Sequence, residues 1–429
     1  MKELFKKNKL IFILTAVCSG FALILLCVLL IISALSGTVD NEEPVKDTSS
    51  IMDGTDDING VWIASVYNIN FPSQKNLSAD DLRSELDSIV ETTKAAGMNT
   101  IFFQVRPESD ALYDSGIFPV SSYLSDSGEL TLDALEYLID KAHGEDITVH
   151  AWINPVRVTS KSGITTDALA KGNPARENPE YTVTYADGKI YYNLGIPEVR
   201  KLICRGVEEI VENYDVDGIV FDDYFYPYPS YEVNENGESV VADFGDREAY
   251  AEYNPDGLDI SDWRRENVNL LVEQVYDTVK KADADVLFGV SPFGIWKNGY
   301  GDGTGSLTSG SESYSMLYCD TLAWIEGEYV DYIAPQLYWT SDQENASYDL
   351  LCDWWAEAVR DTKVRLLISH GAYRYDNDWA DPSGIMTYQV NFAKKKEYYR
   401  GSLFYGYAAI KNNINGITDE LTKLYGNQE

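Results

Sequence analysis

Residues 217–227 read DGIVFDDYFYP. A short apolar run, Gly218–Phe221, stops abruptly at two aspartates and a cluster of aromatic rings. A run of this length that is apolar throughout suits a strand of a parallel sheet buried on both faces. The same pattern recurs from Gly60 onward. The other strand candidates are Val61–Val66, Thr100–Val105, Thr148–Ile153, Leu287–Val290, Tyr332–Leu337, Arg365–Ser369 and Ser402–Ala408. Helical stretches alternate with them at Asp81–Ala96, Leu132–His143, Glu198–Asn213, Ser261–Lys281, Ser315–Ile325, Tyr348–Asp361, Ile385–Tyr399 and Asn413–Leu424. Eight strand–helix units predict an α/β fold of the (β/α)8, or TIM-barrel, class over residues 60–429. A doubly wound open sheet is the alternative. It lacks its dinucleotide signature, because no GxGxxG follows a first strand.

A barrel gathers the C-terminal ends of its strands on one rim, where active sites sit. Here those ends are rich in polar and aromatic groups: Arg106, Glu108 and Asp110; Asn154 and Arg157; Asp222, Asp223 and Tyr224; Trp296; Gln336, Tyr338 and Trp339; His370. Asp222-Asp223 is the leading candidate for chemistry. Two adjacent carboxylates raise one another's proton affinity and leave a proton for a leaving group. Strand alternation puts Asp222 and Tyr224 on one side and Asp223 on the other, unless the chain has already turned. Glu108 and Asp110 are the second acidic pair, with a competing reading as salt-bridge partners of Arg106 or Arg157. Arg106, Asn154, Arg157, Gln336 and Tyr338 offer donors for sugar hydroxyls, acetamido groups or a lactyl carboxylate. Trp296 and Trp339 read either as stacking platforms or as packing, and His370 either as a rim hydrogen-bonder or as structural. Asp217, at the start of its strand, reads as structural.

Composition excludes several classes. With 34 Lys+Arg against 69 Asp+Glu, the formal net charge of -35 argues against a nucleic-acid partner. The chain has three His, with no HxH or HExxH, so neither a metal site nor a cofactor is predicted. Ser291 lacks a GxSxG context, which argues against a serine hydrolase. Cys18 and Cys27 lie in an apolar run. Cys204, Cys319 and Cys352 show no CxxC spacing and read as buried small residues. The Gly-rich stretch at 301–305 lacks a lysine and reads as a rim loop.

Lys2, Lys6, Lys7 and Lys9 precede an apolar stretch running from Leu10 to Leu35. Roughly 20 apolar residues cross a bilayer, whereas a signal-peptide core has roughly 7–15. Residues 1–36 are therefore read as cytoplasmic lysines and an uncleaved transmembrane signal anchor in the lipid bilayer, with everything that follows outside. Residues 37–59 are acidic and polar and read as a flexible linker.

Taken in order, GVWIASV, FFQVRPESDALY, HAWINPVRV, IPEVR, DGIVFDDYFYP, WRRENVN, VSPFGIW, VDYIAPQLYW and SHGAYR resemble the glycosyl hydrolase-like 10 family of bacterial envelope proteins over Gly60 to Tyr425. That resemblance implies a (β/α)8 barrel hydrolysing cell-wall glycan, with peptidoglycan strands, including those stripped of stem peptides, as the substrate. It carries Asp222 and Asp223 over as the acidic pair, and Arg106, Asn154, Arg157, Gln336 and Trp339 as cleft residues. The chain departs from the family at Asn193-Leu194-Gly195, where Asn-Pro-Gly is expected, and at Lys297, where Arg is usual. Inverting, retaining and substrate-assisted routes all stay open. Two other readings compete: a non-catalytic cell-wall glycan-binding scaffold, and a hydrolase of another extracellular polysaccharide.

Overall fold

The computed structural model describes residues 57–299, 303–376, 379 and 381–426. The anchor at 1–36, the linker up to residue 56 and part of the Gly-rich stretch lie outside the described residues. Among the described residues, no helix is long and apolar enough to cross a membrane.

Eight parallel strands close into a barrel in chain order. They are β1 (Ile58–Ile63), β2 (Thr100–Arg106), β3 (Thr148–Ile153), β4 (Gly218–Phe221), β5 (Leu287–Val290), β6 (Tyr332–Ile333), β7 (Arg365–His370) and β8 (Tyr399–Tyr405). Closure is made by β1 against β8, with Ile58 level with Gly401 and Trp62 level with Tyr405. The helices in the crossovers are α1 (Ala79–Ala95), α2 (Ala134–His143), α3 (Pro197–Asn213), α4 (Ile260–Ala282), α5 (Thr321–Glu326), α6 (Tyr348–Ala358), α7 (Ile385–Ala393) and α8 (Ile417–Tyr425). Side-chain N-caps start three of them: Ser78 accepts from the Asp81 amide, Asp133 from Glu136, and Asp259 from Ser261 and Asp262.

Several elements differ in their bounds from the sequence expectation, three of them for a local reason. β6 ends at Ile333 rather than Leu337. Pro335 has no amide donor for a ladder, and Gln336 instead makes single bridges to Phe293 and Ser369. The helix expected over 315–325 is split into Ser313–Met316 and α5, because Tyr318 between them is left-handed at φ 54°. β8 stops at Tyr405, because Gly406 takes φ 136° against the Tyr373 backbone.

The barrel interior is filled by large rings beside small residues. An added Cβ on Gly218 would lie 2.4 Å from the His150 ring, and one on Gly289 would lie 2.1 Å from Tyr332. Those two rings meet in a 2.9 Å hydrogen bond, His150 Nδ1 to Tyr332 Oη, and plug the lower barrel. Trp62, Phe102, Trp152, Val220, Leu367 and Leu403 complete the inner layer. A second apolar layer lies between strands and helices. Each such ring, fully buried, stabilises the fold by roughly 1.5–3 kcal/mol. At the bottom, Asp217 accepts from the Val149 amide (2.7 Å) and pairs with His143 Nε2 (2.9 Å), so its place is structural, as expected. Cys319 and Cys352 are buried, Cys204 is half-buried, and all three are unbridged.

The long loop after β4 is pinned by one buried ion pair. Arg264 on α4 grips Asp246 with two bonds, Nε–Oδ2 at 2.8 Å and Nη2–Oδ1 at 2.6 Å. Such a bidentate pair fixes geometry as well as charge.

Candidate active site

The upper mouth of the barrel opens into a cavity of about 330 Å³. Its floor is made by Trp62 of β1, Gln104 of β2 and Trp152 of β3. Both indole N–H groups are committed there: Trp62 donates to Ser369 Oγ (3.1 Å) and Trp152 to Asp222 Oδ2 (3.1 Å).

Asp222 and Asp223 both line this cavity. The ladder of β4 ends at Phe221 and the chain turns at once, with Tyr224 N donating to Asp222 Oδ1 (3.2 Å) and Phe225 N to the Asp223 carbonyl (3.2 Å). That turn cancels the strand alternation that would have sent them to opposite sides. Asp222 is held by four hydrogen bonds: one from Trp152, one to each oxygen from Asn154 Nδ2 (3.1 Å each) and one from the Tyr224 amide. Burial pushes its proton affinity up, opposed first by the Arg157 guanidinium and then by the Asn154 and Trp152 bonds. Asp223 accepts from the Tyr228 hydroxyl. Burial and the neighbouring Asp222 charge push it up to about 6, against smaller opposition from Tyr228 and Gln336. The site thus holds one strongly hydrogen-bonded carboxyl beside one poised to carry a proton near neutral pH.

The walls are aromatic and polar. Tyr67 and Ile69, from the loop after β1, are about half exposed at the entrance. Arg157 lays its guanidinium over the Tyr224 ring, 4.7 Å from the centroid. Tyr338 stacks on Tyr405 (6.1 Å, 11°) and shares a 3.2 Å hydrogen bond with Ser369. Gln336 lines the cavity and donates to the Ser291 carbonyl (3.0 Å).

Of the residues singled out from sequence, Asp222, Asp223, Tyr224, Arg157, Gln336 and Tyr338 meet in this cleft. Asn154 is buried behind it. It orients Asp222 and accepts the Arg157 amide (2.9 Å), so it shapes the cleft without lining it.

The others lie elsewhere. A register shift between Gln104 and Arg106 breaks the alternation of β2 and sends Arg106 outward. There it sits fully buried beneath the Phe118 ring, 3.6 Å from the centroid, and against Gly206 of α3. Glu108 follows into the loop and accepts from the Ser160 amide (2.5 Å) and the Tyr123 hydroxyl (3.1 Å). Asp110 is buried with Oδ1 unpaired. Burial, then the Glu108 charge, push it up to about 7. Neither acid lines the cavity, and among the described residues neither pairs with Arg106 or Arg157: Glu108 is held by Ser160 and Tyr123 instead.

Trp296 is stacked on Trp354 (5.7 Å, 18°) in the outer layer. Trp339 packs edge-on against Phe293 (5.7 Å), and its carbonyl receives Gln389. His370 is sandwiched between Tyr348 and Phe404, with its ring nitrogens on Gln389 (3.0 Å) and Ser402 (2.9 Å). Burial lowers it to about 4, which keeps it neutral. All three are packing residues.

The cleft residues missed from sequence are Trp62, Val66, Tyr67, Ile69, Gln104, Trp152, Tyr228, Ser291 and Tyr405. Gln104 carried a signal: it is a lone polar residue in the apolar run of β2, two positions from inward Phe102. Tyr67 and Tyr228 carried none, being loop residues placed by long-range contacts.

Comparison with known proteins gives a consistent picture. The profile described as "Glycosyl hydrolase-like 10" matches residues 57–381. The chain is 38% identical over 378 residues to "Glycosyl hydrolase YngK" of Bacillus subtilis (strain 168), covering 86% of this chain and 72% of that one. It is 34% identical over 361 residues to "Glycosyl hydrolase DigH" of Escherichia coli (strain K12), covering 79% and 80%. Among solved structures, the glycoside hydrolase domain of PgaB (BpsB) from Bordetella bronchiseptica superposes with a TM-score of 0.55 at 13% identity, covering 86% of this chain and 99% of that one. At that identity the match speaks for the barrel fold alone.

Proposed function

The chain belongs to the glycosyl hydrolase-like 10 family and is a glycoside hydrolase. From that premise we propose that it cleaves glycosidic bonds of peptidoglycan glycan strands outside the cell, tethered to the membrane by the lysine-flanked segment at 1–36. The observation that carries this reading is the pair of buried carboxyls, Asp222 and Asp223, side by side in an aromatic-walled cleft at the barrel mouth.

In the proposed reaction Asp223, raised to about 6, donates its proton to the glycosidic oxygen as the bond to the anomeric carbon breaks, and water bonds to that carbon and gives up a proton to leave a new reducing end. Asp222, held by Trp152, Asn154 and the Tyr224 amide, keeps a fixed negative charge beside the oxocarbenium-like centre. Tyr67, Tyr224 and Tyr228 offer rings for the apolar faces of sugars. Arg157 suits a free lactyl carboxylate, the group exposed when stem peptides have been removed. This favours peptide-free strands.

The test is to incubate the full chain with intact and with amidase-treated sacculi and to analyse the products by mass. New reducing ends, more abundant from the amidase-treated wall, are expected. Binding without cleavage would give way to the scaffold reading. Cleavage confined to other polysaccharides would move the substrate.

A further inference from the structure

We propose that Gln104 is a substrate-binding residue whose side-chain Nε2 donates to an acceptor oxygen on the sugar seated against Asp222 and Asp223. This rests on the hydrolase reading of the cleft.

Gln104 lines the cavity yet is only 1% exposed. Its orientation is fixed from the other end. Oε1 accepts from the Ser65 amide (3.0 Å) and the Val66 amide (3.0 Å), while the Gln104 main-chain carbonyl accepts from Ser65 Oγ (2.7 Å). Reversing the amide would set its NH2 against two backbone N–H donors, so the chemistry of the neighbours decides which atom is oxygen. The consequence falls on Nε2, which has no hydrogen-bond partner among the described residues. Leaving a buried donor unmade forfeits the hydration it lost on folding, and native proteins avoid it unless the group has a use.

The fold uses the acceptor half of this side chain and not the donor half. The adjacent floor cannot satisfy Nε2. Trp62 and Trp152 are donors only, and both are already engaged, with Ser369 and Asp222. Gln104 is level with Trp152 on the neighbouring strand, and that indole holds Asp222. The unpaired donor therefore lies in the same cavity as the reacting carboxyls, with β3 and its Trp152 between them, and the matching group is an uncharged acceptor, either a hydroxyl or an acetamido carbonyl oxygen.

The experiment uses the full chain and Q104E. A glutamate keeps the oxygen that holds Ser65 and Val66 and replaces the donor with a second acceptor of the same shape. We expect kcat/KM on peptide-free glycan strands to fall by roughly 10- to 100-fold, with the thermal midpoint within about 3 °C of the parent. If the parent cleaves and Q104E cleaves with unchanged kcat and KM, the role of Gln104 is wrong and the hydrolase reading stands.

Affinity for N-acetylglucosamine oligomers, compared between D223N and Q104E/D223N, separates the two ideas further. If the parent cleaves nothing, the hydrolase reading falls and this affinity alone decides: equal binding overturns the role, and weakened binding supports it. Should Q104E not fold, side-chain 15N glutamine signals of the parent give the answer. A shift of the NH2 signal assigned to Gln104, distinguished from that of Gln336 in the same cavity, on saturation with the oligomers supports the proposal, and no shift overturns it. Comparing acetylated with N-deacetylated strands identifies the acceptor: losses that do not add with Q104E assign the acetamido oxygen, and losses that add assign a hydroxyl.

Discussion

The acids that follow β2 and those that follow β4 start from one sequence signature, a carboxylate pair just past a buried strand, and end in opposite surroundings. After β4 the ladder stops cleanly, and the turn brings Asp222 and Asp223 together over the cavity. After β2 the register shift turns the chain outward, so Arg106, Glu108 and Asp110 are absorbed into the layer between barrel and loops. Burial raises the proton affinity of Asp110, to about 7, as it raises that of Asp223, to about 6. A raised pKa therefore does not distinguish the pairs. Access to a space that can hold substrate does.

The largest expected effect tests that contrast directly. Asp223→Asn should lower turnover by roughly 10²–10⁴-fold, with Asp222→Asn in the same range, while Glu108→Gln and Asp110→Asn stay within about threefold. Release of reducing ends at saturating glycan measures this. Activity lost in D110N and kept in D223N would reverse the comparison.

The aromatic residues sharpen the same inward–outward division. Trp296→Ala should destabilise by about 3–5 kcal/mol in chemical unfolding and leave glycan affinity alone. Tyr67→Ala at the entrance should weaken affinity by about tenfold and lower stability by no more than about 1 kcal/mol, the hydrogen bond from its hydroxyl to the Ser160 carbonyl being lost.

A smaller effect comes from pH. Asp223 and Asp110 hold their protons more tightly folded than unfolded, so each favours the fold fully below about pH 4. The Asp223 contribution is lost as pH rises to about 6, and the Asp110 contribution as it rises to about 7. Relative to the parent, D223N and D110N should each gain on the order of 1–3 kcal/mol between pH 4 and pH 8, read from unfolding midpoints. Only D223N should pair that gain with lost activity.

The smallest effect is expected from Tyr228→Phe. It removes a hydrogen bond that holds the Asp223 proton affinity down. The alkaline fall in kcat should move to higher pH, with maximal turnover within about tenfold of the parent. An unmoved profile would dissociate Tyr228 from the acid.

Much of this was legible in the chain. The apolar runs of β3, β4 and β5 are bounded as read, because strands buried on both faces are apolar throughout and stop where polarity begins. Asp222, Asp223, Tyr224, Arg157, Gln336 and Tyr338 were all found by one rule, that strand ends share a rim. The rule failed where the last ladder pair is irregular or where the end points into the outer layer. Arg106 and His370 are each one residue's alternation away from the cleft, and nothing local to their sequence fixes that alternation.

The sequence by itself determined the barrel, the rim and the chemical type of the site, because strand periodicity, apolar burial and the sequence DGIVFDDYFYP are local properties of the chain. Only the tertiary structure decided which polar side chains face substrate. That choice depends on a register shift in β2, on the turn after Phe221 and on partners far away in the chain, such as Ser65 and Val66 for Gln104, or Asn154 for Asp222. A bulge of one residue reverses the face of every side chain that follows it. Its cost or gain is set by the strands packed on either side, which a linear sequence does not bring together.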